Sequence, residues 1–309
     1  MSPSFDDHLE VALEDYNDKI SKLETSEGTP EEFLDALINR GSVLSMMEYY
    51  ISAISDFNDA IEIIEKLEKK GKEVDPGSFI KAYVSRGELM SSENVDQTVE
   101  DYVAATSRLK KLNKDSKYFD ERKIVMMCIN CSEDLVDNGF PGEVVPFFEK
   151  LYDILPNKTD NWSLNRYLET LNLGGQAMND LSDQDQALEI FTQAIEIGVE
   201  LFDKGTIEDT MSIIFPFISR GDIAQEKGLL EQYFLDRKAA ISLLENLLEM
   251  NRLEDVRILA ELHQDVANTY LTLNKVKEAE EHLMREVMLN IDGAEEYIRE
   301  YADREKLNK

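Results

Sequence analysis

The sequence of 309 residues has little of what breaks helices, with only 14 glycines and 7 prolines. That scarcity argues against a sandwich of many short strands and favours long helices. Uninterrupted apolar runs of about 18 residues are missing, so we expect no membrane-spanning helix. The first residues lack a basic region followed by an apolar run, so we expect no secretory signal either.

Cysteine and basic residues are also scarce. Two cysteines cannot form a disulfide framework in a chain of this length, which indicates a reducing, cytoplasmic compartment. Only 33 Lys and Arg stand against 64 Asp and Glu, giving a net charge of −31. Because nucleic acids and anionic membranes bind cationic surfaces, we expect neither as a partner. The hydrophobic content of 42% is sufficient for a packed core.

What the sequence does contain is a repeat with a period near 45 residues. Small residues recur 43 to 46 positions apart, at Gly41, Gly87, Ser132, Gly175, Gly221 and Ala267. Apolar residues recur around them at three- and four-residue intervals, the period of a buried helix face. A glycine inside a helix costs about 1 kcal/mol relative to alanine, so its recurrence indicates close approach of a second helix. Each unit is therefore predicted to be a helical hairpin that shares a core with its neighbours.

Two units carry the spacing of a known repeat. One of them contains Leu171, Gly174, Gly175 and Met178, followed by Ala187, Phe191 and Ala194. The other contains Cys128, Cys131, Ser132 and Leu135, followed by Gly139, Val144, Phe148, Leu151 and Pro156. This pattern resembles the tetratricopeptide repeat (TPR) family, in a long-helix variant whose period exceeds the usual 34 residues. The resemblance implies an all-α, right-handed α-solenoid of about six and a half TPR-like helical hairpins.

The repeat predicts a single solenoid domain over residues 1–309. Residues 5–24 match the second helix of a unit and are predicted to form an N-terminal half-unit. Residues 31–290 are predicted to form six helical hairpins, and residues 294–306 a C-terminal capping helix. The first hairpin has a clear start, because Thr29 is a good N-cap and Pro30 follows it in the first turn.

Three units share a pair of charged residues that the other units lack. An arginine stands where the TPR pattern expects an apolar residue, and an aspartate stands in the second helix of the same unit. The pairs are Arg40 with Asp56, Arg86 with Asp101, and Arg220 with Asp236. We expect a partly buried, bidentate bridge between the two helices of each hairpin. The alternative is that these arginines bind a carboxylate of a ligand.

The sequence offers no convincing catalytic, metal or cofactor site. His263 and His282 form no metal-binding spacing and are predicted to be structural. Cys128 and Cys131 form a Cys-x-x-Cys that could serve redox or zinc chemistry, but a second pair is missing, so both are predicted to be buried small residues. The basic segment 108–123 is predicted to be a solvated connector, with a binding patch as the alternative. We expect a protein that is not an enzyme and needs no cofactor.

In TPR folds the first helices of successive units line a concave surface that takes peptides, so the resemblance implies this use here. The candidate groove is acidic and partly apolar, with six acids against one lysine. Its residues are Asp35, Ile38, Ser42, Lys81, Glu88, Ile129, Glu133, Glu169, Asn172, Gln176, Phe215, Asp222, Glu261, Gln264 and Asn268. The alternative is that these positions are merely solvated.

The function that follows is a non-catalytic adaptor or scaffold that binds a protein or peptide in this groove. The negative charge of the groove favours a basic or amphipathic partner segment. The alternative is a long-helix TPR regulatory sensor that responds to a small peptide. The sequence does not indicate the oligomeric state.

Overall fold

The structure is a computed structural model that describes residues 5–25, 28–156, 159–253 and 255–290. Those ranges contain helices and no strand, which confirms the all-α class. The helices are α1 Phe5–Thr25, α2 Pro30–Met46, α3 Tyr50–Lys69, α4 Pro76–Met90, α5 Val95–Leu109, α6 Glu121–Asp137, a 3-10 helix Pro141–Val144, α7 Val145–Ile154, α8 Asn161–Asp180, α9 Gln184–Asp203, α10 Met211–Glu226, α11 Leu230–Glu249, α12 Val256–Thr272 and α13 over 276–290.

Capping residues fix the ends of several helices. Thr29 caps α2 with a capping box, in which its hydroxyl accepts from Glu32 N and the Glu32 carboxylate accepts from Thr29 N. Asp75 and Asp120 cap α4 and α6 by accepting a backbone N–H of the first turn. Gly139 follows α6 with φ of 85°, the left-handed conformation that terminates a helix.

The chain divides into two compact units, one up to Leu173 and the other from Gly174, with the boundary inside α8. In the first unit α1 packs on α2, α2 pairs with α3, α4 pairs with α5, and α6 pairs with the 3-10 helix and α7. The first helices of successive hairpins also touch, α2 with α4 and α4 with α6. Hairpins therefore stack in this unit, and we call the exposed side of α2, α4 and α6 the first-helix surface.

The core of the first unit runs between the hairpins as well as within them. Ile20 of α1, Leu37 of α2, Ile64 of α3 and Phe79 of α4 belong to one buried apolar cluster. A single hairpin could not bury both of its sides, so each hairpin depends on its neighbour for a closed core.

In the second unit α9 contacts α10, α10 pairs with α11, and α11 contacts α12. Its core joins Ile213, Leu244 and Leu259 with Leu289 of α13. The capping helix predicted over residues 294–306 lies outside the described residues, and the single solenoid domain, its handedness and its number of units stay predictions. Within the described ranges no helix is long and apolar enough to cross a bilayer.

Candidate functional site

The recurring glycines lie where the helices of a hairpin approach most closely. A Cβ atom placed on Gly41 would lie 3.0 Å from the ring of Phe57 in the paired helix. At Gly87 the added Cβ would lie 2.6 Å from the ring of Tyr102. In these two hairpins the aromatic ring lies against the glycine, so an added side chain would force the ring to shift.

The arginines and aspartates singled out in the sequence form two parallel hydrogen bonds in each hairpin. Arg40 Nε and Nη2 donate to Asp56 Oδ2 and Oδ1 over 2.8 and 2.6 Å. The same arrangement, over 2.5 to 3.0 Å, joins Arg86 to Asp101 and Arg220 to Asp236. The aspartates are only 1 to 3% exposed. The hydrogen bond to Asp56 raises the pKa of Arg40, so the buried carboxylate faces a cation that stays charged.

A third hydrogen bond, not foreseen from the sequence, extends each pair to the preceding unit. The remaining terminal nitrogen, Nη1, donates to a polar side chain on the helix before the arginine's own hairpin over 2.7 to 3.0 Å. The acceptors are Asn17 for Arg40, Asn58 for Arg86 and Thr192 for Arg220. Because all three guanidinium nitrogens are engaged within the fold, these arginines are structural and do not present a free fork to a ligand carboxylate.

The hairpin of α10 and α11 places an arginine where the others have the aromatic ring. Arg237 follows Asp236 in sequence and is 1% exposed. Its Nη1 donates to the carbonyl oxygen of Ile218 over 3.0 Å, and its Nη2 donates to the Asp222 carboxylate. Asp222 was a predicted groove residue, but its carboxylate neutralises this buried cation. Partial burial raises the pKa of Asp222, against the opposing effect of Arg237.

A cavity of about 720 Å³ opens on the first-helix surface between α4 and α6. Lys81 and Glu88 of the predicted groove line it, together with Val84 of α4 and Met126 of α6. The other lining residues are Gly77, Ile80, Leu112, Tyr118, Phe119, Asp120, Arg122, Lys123, Ile124, Met127, Asn130 and Trp162. The cavity therefore combines an apolar lining with charges of both signs, in the size range of ligand sites.

Of the charged side chains in the cavity, Lys81 is half-buried, whereas Glu88 stays exposed. Desolvation by the surrounding protein lowers the pKa of Lys81 and raises the pKa of Glu88, while the attraction between the two opposes both shifts. The guanidinium of Arg122 lies 4.8 Å from the ring centroid of Trp162, a cation–π contact at the cavity wall. Arg122 and Trp162 were not predicted, because they come from the start of α6 and from α8 and fall outside the helical stripe.

Asp35, a predicted groove residue in α2, already binds other residues of the chain. Asp35 accepts from Lys117 Nζ over 2.5 Å and from the Ser78 hydroxyl over 3.3 Å. Lys117 belongs to the connector between α5 and α6, the basic segment that the sequence analysis assigned to solvent. The connector therefore folds back on the first-helix surface.

Two predicted groove residues are core residues instead. Ile38 is 0% exposed and Ile129 is 1% exposed. Ile38 packs in the cluster shared by α1 to α4, because the neighbouring hairpin covers this side of α2. Neither side chain has exposed surface on the groove side in this structure, and a binding role for them stays a prediction.

The other members of the set differ in exposure. In the first unit Glu133 is exposed, whereas Ser42, Glu169 and Asn172 are half-buried. In the second unit Gln176 and Phe215 are half-buried, and exposed positions are held by Glu261, Gln264 and Asn268. The Ser42 hydroxyl donates to the carbonyl oxygen of Ile38 over 2.9 Å, so it serves its own helix. Binding roles for the remaining positions stay predictions.

The two cysteines are buried, and two of the histidines form a hydrogen bond with each other. Cys128 and Cys131 are free thiols with no exposed surface, and burial raises the pKa of Cys128 to about 12. Such thiols are unreactive. Nδ1 of His263 lies 2.9 Å from Nδ1 of His282, and one ring donates to the other. In the described part of the chain no group of three or more His, Cys, Asp or Glu side chains could hold a metal ion.

Comparison with known proteins relates this arrangement to solved structures. No protein-family model matches the sequence, and no curated protein sequence matches it. The apo form of RapI superposes with a TM-score of 0.56 at 13% identity, covering 91% of this chain and 76% of RapI. The chain has a TPR-like fold. Lower TM-scores were found for aspartyl phosphate phosphatase F from Bacillus subtilis (0.43, 14% identity, covering 94% and 85% of the two chains) and for a tetratricopeptide repeat protein from Parabacteroides merdae (0.42, 11%, covering 91% and 93%).

In the terms of the TPR-like fold, the 720 Å³ cavity lies between the first helices of two consecutive hairpins. Lys81 and Glu88 face it from α4 and Met126 from α6. Of the groove residues predicted from sequence, Lys81 and Glu88 are the ones that the structure brings together around a common space.

Proposed function

We propose that the protein is a non-catalytic scaffold that holds a protein or peptide segment on its first-helix surface. The cavity between α4 and α6 is the observation that supports this function most directly. Its volume of about 720 Å³ accommodates the side chains of a short segment. The two thiols are buried and His263 and His282 bond to each other, so these four side chains are not presented to the cavity as nucleophiles or bases.

The proposed partner segment is amphipathic. Val84, Met126 and Trp162 provide apolar contact. Lys81 is half-buried, and among the described residues no hydrogen bond joins it to a carboxylate, so an acidic group of a ligand would compensate its burial. Glu88 offers the complementary contact for a basic group. A segment with basic residues would pair with the exposed acidic side chains of the first-helix surface. A segment that carries both basic and acidic residues complements the cavity better, because Lys81 and Glu88 both line it.

The cytoplasm is the proposed location, because both cysteines are free thiols, as is usual in a reducing compartment.

Trp162 provides a direct test, since it is the only tryptophan of the chain and lines the cavity. Peptides that bind the protein would be selected from a displayed random library and titrated while the tryptophan emission is recorded. We expect selected peptides to shift the emission and to lose at least ten-fold in affinity with Met126→Asp. The matched control is Val103→Asp, an exposed residue of the second helix α5, which should bind like the wild type.

Selected peptides that leave the Trp162 emission unchanged and bind both variants like the wild type would show that the cavity is not the binding site. The regulatory-sensor alternative has one observation in its favour, the connector that lies on the first-helix surface beside the cavity. A sensor would couple peptide binding to a change in that connector.

A further inference from the structure

The connector between α5 and α6 lies on the first-helix surface and does not extend into solvent. We call residues 113–119 the strap. Lys117 and Tyr118 of the strap contact α2 and the start of α4, and Tyr118 and Phe119 line the cavity described above. The strap therefore covers the surface that the first hairpin would otherwise offer to a partner and forms one wall of the neighbouring cavity.

The strap is folded into turns, and polar side chains of the surface beneath hold it as they would hold a bound segment. The Lys117 ammonium pairs with Asp35 over 2.5 Å, and the Tyr118 hydroxyl accepts from Asn39 Nδ2 over 3.1 Å. The backbone N–H of Lys117 donates to both carboxylate oxygens of Asp75 over 3.1 Å. A cation, an aromatic hydroxyl and a main-chain N–H are thus each recognised by a polar side chain of the first-helix surface or its edge.

Gly77 makes the close approach of the strap possible. A Cβ atom placed on Gly77 would lie 1.6 Å from the carbonyl oxygen of Lys117, far inside contact distance. Gly77 stands in the first turn of α4 with an ordinary φ, so alanine is compatible with the helix there. The absence of a side chain at this position serves the strap and not the helix.

The contacts of the strap are weakly held. The Lys117 side chain is 51% exposed, and exposed ion pairs contribute little because water competes for both charges. Tyr118 is 37% exposed and has φ of 58°, a left-handed conformation that costs energy in a residue with a side chain. The strap is therefore fixed by specific contacts that a competing segment could replace.

We propose that the strap is a displaceable internal occupant of the first-helix surface, and that the partner competing for this place presents a lysine or arginine next to an aromatic residue. The chemistry follows from the contacts, since Asp35 receives the cation and Asn39 the aromatic hydroxyl. The inference rests on the proposed function and adds two things to it. It names the partner side chains that are recognised, and it requires that the strap leave the first-helix surface before the partner can occupy that surface fully.

The test uses Gly77→Ala, which leaves no room for the Lys117 carbonyl, with Gly142→Ala as the matched control. A Cβ on Gly142 meets no atom within 4 Å, so that substitution is harmless. Hydrogen–deuterium exchange of the strap is measured in both variants. A fluorescein-labelled peptide that copies residues 113–120 is then titrated into each variant and into the wild type.

We expect Gly77→Ala to lose protection of the strap amides and to bind no peptide, because the peptide's copy of the Lys117 carbonyl meets the same Cβ. Lys117→Ala combined with Tyr118→Ala weakens the strap while Gly77 is kept, and should bind the peptide at least ten-fold more tightly than the wild type and Gly142→Ala. Adding Asp35→Ala to this double variant should abolish that gain. The double variant leaves α4 unchanged, which guards against a folding defect in Gly77→Ala.

If the strap of the folded double variant Lys117→Ala, Tyr118→Ala is unprotected and that variant binds no peptide, the proposal is overturned, and it is also overturned if the strap stays protected in both Gly77→Ala and the double variant. Either result concerns the strap alone. Selected peptides that still shift the Trp162 emission would leave the binding function of the cavity standing.

Discussion

The hairpins of this protein have two kinds of interior, and the contrast shows what the arginines do. In α2/α3, α4/α5 and α10/α11 a buried aspartate binds an arginine that also reaches the preceding helix. In α6/α7 the corresponding positions are Cys131 and Phe147, both 0% exposed. The chain therefore contains hairpins with a buried charged pair and a hairpin with apolar residues at the same positions.

What the charged pair adds is a fixed geometry between successive hairpins. An apolar contact tolerates sliding, whereas a guanidinium with three hydrogen bonds to residues on two helices allows one arrangement. Burying the pair brings little net stability, because the desolvation of both charges offsets most of their attraction. The polar hairpins therefore gain specificity of stacking and remain sensitive to the loss of one partner.

The largest expected effect comes from breaking one polar pair. Asp56→Ala leaves Arg40 partly buried without its carboxylate and should lower the free energy of unfolding by about 3 kcal/mol. Urea denaturation followed by circular dichroism measures the change. The control is Asp59→Ala, an exposed aspartate on the same helix, which should change stability by less than about 0.5 kcal/mol.

Converting the polar pair to an apolar one sharpens the same comparison. Arg40→Leu together with Asp56→Phe imitates the apolar hairpin and should be more stable than Asp56→Ala alone, because no charge is left unpaired. A double variant that is as unstable as the single one would show that the charges themselves are required for closure.

An intermediate effect is expected from the glycines that face the second helix. Gly175→Ala would place a Cβ 2.5 Å from the ring of Phe191 and should cost about 2 kcal/mol through overpacking. Gly221→Ala meets Arg237 only at 3.5 Å, an ordinary contact, and should gain about 0.5 kcal/mol from helix propensity. Equal effects at the two positions, measured by urea denaturation, would contradict this explanation of the repeat.

The smallest effect concerns the last described hairpin, where a histidine stands in place of the aspartate. Burial lowers the pKa of His263 and of His282. Since the unfolded chain binds more protons just below the ordinary histidine pKa of about 6.5, stability should fall as the pH drops through that value. Glu245 faces His263 from α11, paired with Arg285, and Glu281 lies next to His282.

Melting temperatures at pH 7.5 and 5.5 check this prediction. The double variant His263→Gln, His282→Gln should lose less stability on acidification than the wild type. If acidification lowers the melting temperature of both proteins by the same amount, protonation of the histidine pair does not contribute to stability in this pH range.

The sequence was sufficient to predict features that repeat. The pairing of Arg86 with Asp101 followed from their joint presence in three units, and the close approach at Gly87 followed from the period. Features that occur once were missed. Arg237 takes an aromatic place in a single hairpin, and no other unit could reveal it.

The candidate site was predicted less completely than the fold, for a physical reason. Helical spacing identifies the residues on one face, and Lys81 and Glu88 were found in this way. It cannot show how far a neighbouring hairpin covers that face, which is why Ile38 proved to be buried. Nor can it place a connector, because the position of Lys117 depends on partners about 40 and 80 residues away in sequence.

The most direct test of the central claim is to map where a partner touches the protein. A photo-reactive benzoylphenylalanine is introduced at Met126, in the cavity, or at Val103, on a second helix, and the protein is irradiated in its native cell. We predict covalent adducts from Met126, with a protein segment identified by mass spectrometry, and none from Val103. Adducts from Val103 alone, or equally from both positions, would contradict binding on the first-helix surface.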